Sequence, residues 1–356
     1  MKQQFKQPNL DRRSRSILLE TINEYVLTAE PVSSRSISRK LSEKLSPATV
    51  RNVMADLEEL DFLAQPHTSA GRVPTDRGYR YFVNELLLNQ ERVALTTPLP
   101  ASLVKSSYDK NLQDVLGSVC HLLSADSHQT SLVMAPAIGN LHLKRIEFIR
   151  LEEKQVLAVL VSSLGPAQNK MLRLTEDISQ DRLISTANYL NTEYGGHPLV
   201  SIRRELQFRV EKEQQRCDKL KKRAFDLWAQ VFTTEDHAEL LIEGINHLLD
   251  QPEFQGDLKR IKALLKTVEE KQRLIELLDL CMQQDGPSVI IGEEHQLEEM
   301  QGCSLIAKNY KMDNATVGTV AIVGPKRMDY PKMIEIVNTS AANVSDFLSR
   351  NPDQGI

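Results

Sequence analysis

The pattern of apolar positions changes character along the chain. In the first ninety residues it is helical and short-ranged. Ile17, Leu18, Ile22, Tyr25 and Val26 recur at spacings of three and four, which predicts an amphipathic helix ending at Glu30-Pro31. Ser33 or Ser34 can cap a short second helix that buries Ile37 and Leu41. The stretch LSPATVRNVMADLEELDFL then carries strong start chemistry. Ser46 stands at the N-cap, Pro47 at the first helical position, and Leu45 and Val50 at the two staple positions. Val50, Met54, Leu57 and Leu60 form the buried stripe of this third helix. Ala48, Asn52, Ala55 and Glu59 face the other way, flanked by Thr49 and Arg51. Small residues beside an Arg and an Asn suit close approach to another surface.

A short strand over 62–65, a turn over 66–72 and a returning strand near Val73 follow. The turn gathers His67, Thr68, Ser69, Gly71 and Arg72 between Pro66 and Pro74. Arg, hydroxyls and backbone N–H groups contact phosphates, and glycine permits close approach. Three helices, a strand, a turn and a strand are the order of a winged helix-turn-helix, here over residues 1–90. In that arrangement the third helix enters a major groove and the turn lies on the adjacent backbone. The rivals lack parts. A P-loop needs Lys-Ser/Thr after its last glycine, and a Ser/His nucleophile needs a third partner and an oxyanion site. The candidate DNA-contacting residues are therefore Ser46, Ala48, Thr49, Arg51, Asn52, His67, Thr68, Ser69, Gly71 and Arg72. No catalytic, metal or cofactor residue is assigned.

Periodicity lapses over 91–105, a linker with two prolines. NLQDVLGSVCHLLS then reads as a helix, and LKRIEFIRL and QVLAVLVSS as a hairpin turning at Glu-Glu-Lys. MLRL, PSVIIG and VGTVAIVG add strands, and a helix runs from about Pro331 to Leu348. Strands on both sides of a long helical stretch imply an α/β domain in two segments, 106–176 and 285–350. The insertion between them, 177–284, reads as almost wholly helical. Leu206, Val210, Cys217, Leu220, Ala224, Leu227 and Val231 fall at heptad-like spacing, as do Leu258, Ile261, Leu265, Val268, Ile275, Leu278 and Met282. Such helices can form a core within the chain or a contact between two chains, and the pattern does not choose.

Composition narrows the class. Over 356 residues, 41% are hydrophobic and 26% charged, values of an ordinary globular protein with room for two or three domains. There is no run of 18 apolar residues, and no apolar region stands behind the basic N-terminus. Cys120, Cys217, Cys281 and Cys303 lie far apart without a CxxC, as expected of reduced, buried thiols in a cytoplasmic protein. The eight histidines include no HExxH, and His295 among Glu293, Glu294, Glu298 and Glu299 reads as a solvated acidic helix face. Net charge is −4, with 13 Lys and Arg against 11 Asp and Glu in residues 1–90, leaving 31 against 37 beyond. That mild asymmetry permits nucleic-acid binding by the first part without establishing it.

The stretches LSPATVRN, ADLEEL and QPHTSAGRVPTDRGYR closely resemble the N-terminal domain of the HrcA family, bacterial heat-inducible transcription repressors. The resemblance continues through YLNTEYGGHPLVSIRREL, IGEEHQLEEMQGCSLIAKNY and VGTVAIVGPKRMDYPKMIEIV, and so covers nearly the whole chain. It implies an α+β multidomain fold: a winged helix-turn-helix, a GAF-like α/β domain, and an inserted helical dimerisation domain. It also implies a homodimer that binds an inverted-repeat operator in double-stranded DNA upstream of chaperone operons. Such a repressor loses activity on heat stress, depends on the GroE chaperonin, and is cytoplasmic, associated with the nucleoid when bound to DNA. The rival from another class is a ligand-sensing winged-helix regulator that uses the GAF-like domain. Two positions depart from the family pattern: Asp61 replaces the usual Gly after the third helix, and Val53 stands where an acidic residue is usual. Asp still tolerates a left-handed turn, and Val53 flanks the buried stripe.

Overall fold

The computed structural model describes residues 10–350 apart from 68–69, 91–111, 137–140, 164–166, 200, 203–204, 207, 209–218, 232–238, 255–257, 285 and 313–314. Three helices, α1 (Arg12–Thr28), α2 (Ser34–Lys40) and α3 (Pro47–Glu59), enclose Ile17, Leu18, Ile22, Ile37, Val50, Met54 and Leu57. Each starts on a side-chain cap. Asp11 accepts from the Ser14 N–H at 2.9 Å, Ser33 from Ser36 at 3.2 Å, and Ser46 from Thr49 at 3.0 Å. After α3 the chain reverses through Asp61 at φ 62°, so Asp adopts the left-handed turn that glycine would otherwise supply. Leu60, expected in the buried stripe, is 42% exposed because it sits at the C-cap, where the helix leaves the core.

Strands β1 (Leu63–Ala64) and β2 (Val73–Pro74) pair antiparallel. Beside them Arg72 and Val32 exchange two backbone hydrogen bonds, at 2.9 and 2.8 Å, which ties the returning strand to the α1–α2 connection. Gly71 makes this approach possible, since a Cβ there would overlap the Val32 carbonyl. Helix α4 (Asp76–Gln90) follows at once. The Thr75 hydroxyl donates to the Asp61 carbonyl at 2.6 Å and accepts from the Gly78 N–H at 3.1 Å, so turn and helix start are locked together.

The rest of the described chain builds two sheets. The order is α5 (Leu112–Ser127), β3 (Thr130–Met134), β4 (Leu143–Glu152), β5 (Gln155–Ser162), β6 (Gln168–Arg173), α6 (Gln180–Tyr194) and α7 (Lys219–Val231). Then come β7 (Leu240–Glu243), α8 (Ile245–Leu249), α9 (Leu258–Glu269), α10 (Lys271–Met282) and β8 (Ser288–Ile291). Two 3-10 turns (Gly292–Glu294 and Glu298–Met300), β9 (Cys303–Met312), β10 (Ala315–Pro325) and α11 (Tyr330–Arg350) complete it. One antiparallel sheet has the order β7-β3-β10-β9-β8. Alternate residues of its central strands serve two cores. Val133, Ile306, Val320 and Ile322 pack with α5 and α11, while Leu132, Leu305, Ala321 and Val323 pack with α10 and its neighbours. The second sheet, β4-β5-β6, stands apart and is covered on one face by α6.

Strand pairing therefore divides the chain differently from the expected insertion at 177–284. Strands β4 to β6, grouped above with the C-terminal strands, pair only with one another among the described residues. Strand β7, from inside the stretch read as helical, pairs with β3, and α10 lies against β9 and β10. What interrupts the five-stranded unit is the segment between β3 and β7. Alternation identifies a strand but carries no information about its partner, which is chosen by burial over long sequence distances.

Candidate nucleic-acid interface

Helix α3 offers solvent its N-terminal half. Ser46, Ala48, Arg51 and Asn52 are exposed, Thr49 is half-buried, and Val53 leans on the core. The Ser46 and Thr49 hydroxyls lie 2.8 Å apart, so the cap is a small hydroxyl cluster at the positive end of the helix dipole. The C-terminal half carries Asp56, Glu58 and Glu59. A polyanion would thus meet only the first two turns favourably.

The turn after β1 is closed by its own backbone. Ala70 N–H donates to the His67 carbonyl at 2.8 Å, and the Gln65 amide donates to the Ala70 carbonyl at 3.0 Å. His67 is exposed and Gly71 half-buried; Thr68 and Ser69 lie outside the described residues. Arg72 has another place than the expected one. Its side chain is only 18% exposed, and its guanidinium meets Glu58 of α3 at 2.8 Å. The residue ties the hairpin to the third helix.

Sequence reasoning missed cations on the second helix. Arg35 and Arg39 are exposed and four residues apart on α2, so they share one face. Together with Lys44 and Arg51 they form no ion pair among the described residues, whereas Lys40 is paired with Glu24. The signal was present in SRSISRK as a basic pair at helical spacing.

Cys120, Cys281 and Cys303 are buried and form no disulfide among the described residues, and burial pushes the Cys120 and Cys281 thiols up to about 11; Cys217 lies outside the described residues. His295, expected on a solvated acidic helix face, is instead 3% exposed beside a 3-10 turn. Burial holds its imidazole down to about 4, against the pull of Glu294 and Asp76. Among the described residues no group of three or more His, Cys, Asp or Glu is placed to hold a metal ion, and no helix is long and apolar enough to cross a membrane.

Residues 113–334 match the family model described as the HrcA protein C terminal domain. A heat-inducible transcription repressor HrcA of Geobacter sulfurreducens is 39% identical over 344 residues, 96% of this chain and 98% of its own length. The protein of the same description from Laribacter hongkongensis is 36% identical over 342 residues, 96% of each chain. A solved structure described as a hypothetical protein superposes with a TM-score of 0.63 at 22% identity, covering 96% of this chain and 99% of that one. The chain belongs to the HrcA family of heat-inducible transcription repressors.

Proposed function

We propose that this chain represses heat-shock genes by binding double-stranded DNA as a homodimer on an inverted-repeat operator. Residues 10–90 act as a winged helix-turn-helix, with the first two turns of α3 in a major groove and the 66–72 turn as the wing on the backbone. The observation that carries the reading is the exposed, capped start of α3, where Ala48 allows close approach and Arg51 and Asn52 can reach base edges. Arg35 and Arg39 of α2 supply backbone cations beside it, and Ser46 and Thr49 offer hydroxyls to phosphate. His67, Thr68, Ser69 and Gly71 belong to the wing. Arg72 holds that wing in place through Glu58. The test is Asn52→Ala: its preference for operator over random duplex should fall, since one base contact carries about 1–3 kcal/mol of discrimination. Equal losses on both duplexes would place Asn52 at the backbone and refute the orientation of α3.

The second copy is best accommodated on the three-stranded sheet. One face is filled by Ile146, Phe148, Val156, Ala158, Leu160 and Leu172 under α6. The opposite face carries Ile149, Leu157 and Met171 as cross-strand neighbours, with Val159 and Val161 alongside. Ile149 is 40% and Met171 53% exposed, and the charged pair Arg145–Glu147 lies at the rim. An apolar centre with a polar rim is the anatomy of a protein interface, and a two-fold dimer matches an inverted repeat. The five-stranded unit is read as a GAF-like domain interrupted by this dimerising unit. The GroE chaperonin is read as the partner that sustains the folded pool, and the cytoplasm, or the nucleoid on binding DNA, as the site of action.

A further inference from the structure

The GPKRMDY segment, prominent in the sequence, has no role in the α3 surface or in the apolar sheet face. It lies where the N-terminal unit meets the five-stranded unit. Lys326 pairs with Asp76 in the first turn of α4, and the second oxygen of Asp76 accepts the Glu293 N–H at 3.0 Å. One turn on, Arg80 engages Glu294 through two guanidinium nitrogens and donates to the Val289 carbonyl at 2.6 Å. Arg327 donates to the Val26 carbonyl at 3.1 Å and to Glu253 at 2.6 Å. Between these contacts Tyr79 and Phe82 of α4 pack on Tyr330, with ring centroids 5.8 and 6.4 Å apart. Gly292, at φ 53°, leaves room for the Asp76 carboxylate where any Cβ would collide with it.

A tether between two units needs none of this. Bidentate Arg–carboxylate pairing is directional, and here it is reinforced by backbone acceptors and packed rings on one helix. We infer that Arg80 and Lys326 are positioning residues that make the DNA-reading unit a rigid extension of the body, and thereby fix the spacing of the two half-sites the dimer can bind. The inference rests on the DNA-binding and dimer readings above. In a dimer joined through the β4-β5-β6 unit, each reader's position passes through this joint. One added base pair turns a half-site by about 34° around the duplex axis, so a rigid joint discriminates and a loose one tolerates.

The experiment uses the full chain and a duplex that it selects from a random-sequence pool. Arg80→Met and Lys326→Met are combined, since Met retains the apolar stem of both side chains. Binding is measured on the selected duplex and on versions with base pairs added to or removed from the spacer. The wild-type chain should lose affinity steeply with altered spacing. The double variant should bind the original duplex about tenfold more weakly, through lower effective concentration of the second reader, and should be nearly indifferent to spacing. Gly292→Ala opens the joint from the other side and should flatten the profile in the same way. Variants that keep the wild-type spacing profile would overturn the inference, whatever their affinity. Hydrogen exchange at the Glu293 amide reads the joint without DNA and should accelerate in both variants; unchanged protection would equally overturn it. A wild-type chain that selects no duplex would refute the DNA-binding reading itself, and the exchange result would still decide whether these residues hold the joint.

Discussion

Arg72 separates two roles that a list of cations would merge. A phosphate contact must be exposed and electrostatically available, whereas Arg72 is 18% exposed with Glu58 at 2.8 Å. Arg72→Ala should cost roughly 1 kcal/mol of stability, and its effect should not add to that of Glu58→Gln. The slope of log affinity against log salt should stay near the wild-type value. Arg39→Ala and Arg51→Ala should each flatten that slope by roughly one and leave stability almost unchanged. Titrations of the three variants across salt concentrations give the comparison, and a flattened slope for Arg72→Ala would return it to the phosphates. His295 supports a second prediction. It stays neutral in the folded chain down to about 4, while the unfolded chain protonates it below 6.5. Stability from its burial is present above 6.5 and is lost as pH falls towards 4, approaching about 1.4 kcal/mol per pH unit for one proton. Urea melts between about pH 7.5 and about pH 5 should show that loss in the wild type and a smaller one in His295→Leu.

At the scale of elements, the three-stranded sheet shows how one edge is closed and one face left open. Asn191 of α6 accepts from the Ile146 N–H at 2.8 Å and donates to its carbonyl at 3.0 Å. Gln180 does the same further along β4, accepting from Arg150 at 2.8 Å and donating to Phe148 at 3.0 Å. Side chains of one helix thus occupy the backbone groups through which β4 could add a foreign strand. Association through this unit must then go face to face, across Ile149, Leu157 and Met171. Ile149→Asp with Met171→Asp should yield a monodisperse monomer by light scattering, with an unchanged helical spectrum. A variant that stays dimeric would move the interface to another element. The heptad-like helices take the other course. Ala224, Leu227, Trp228 and Val231 of α7 are buried within the chain, and so are Leu274, Ile275, Leu277 and Leu278 of α10.

For the whole molecule, the order of pairing matters most. Ser131 of β3 pairs with Ile322 of β10, about 190 residues later, and the complete β4-β5-β6 unit lies between them. Until that closure Leu132, Met134, Leu305 and Ala321 have no common core to enter. Non-local closure is slow and leaves apolar surface open meanwhile. Chaperonin with ATP should therefore raise the operator-binding activity recovered on refolding several-fold, without changing the affinity of dimer already folded. Stress that fills the chaperonin with other clients would then deplete the repressor. A changed affinity of folded dimer on adding chaperonin, with no gain in recovered activity, would point to a direct allosteric contact.

Helix starts, turn chemistry and the apolar stripes of α1 to α3 were legible in the sequence, because capping and the 3.6-residue period act over a few neighbours. Asp61 could be placed in a left-handed turn for the same reason, and the hairpin of β4 and β5 followed from local alternation. So did the exposed Ala48, Arg51 and Asn52. Tertiary structure decided what no local rule can reach. It chose β7 as the partner of β3, excluded β4 to β6 from that sheet, and buried His295 despite its acidic neighbours. It also paired Arg72 with Glu58, and joined Lys326 to Asp76 across 250 positions. A strand's period or a lysine's charge is written at its own position, but its partner is whichever group folding brings within a few ångströms, and that depends on the burial of the entire chain.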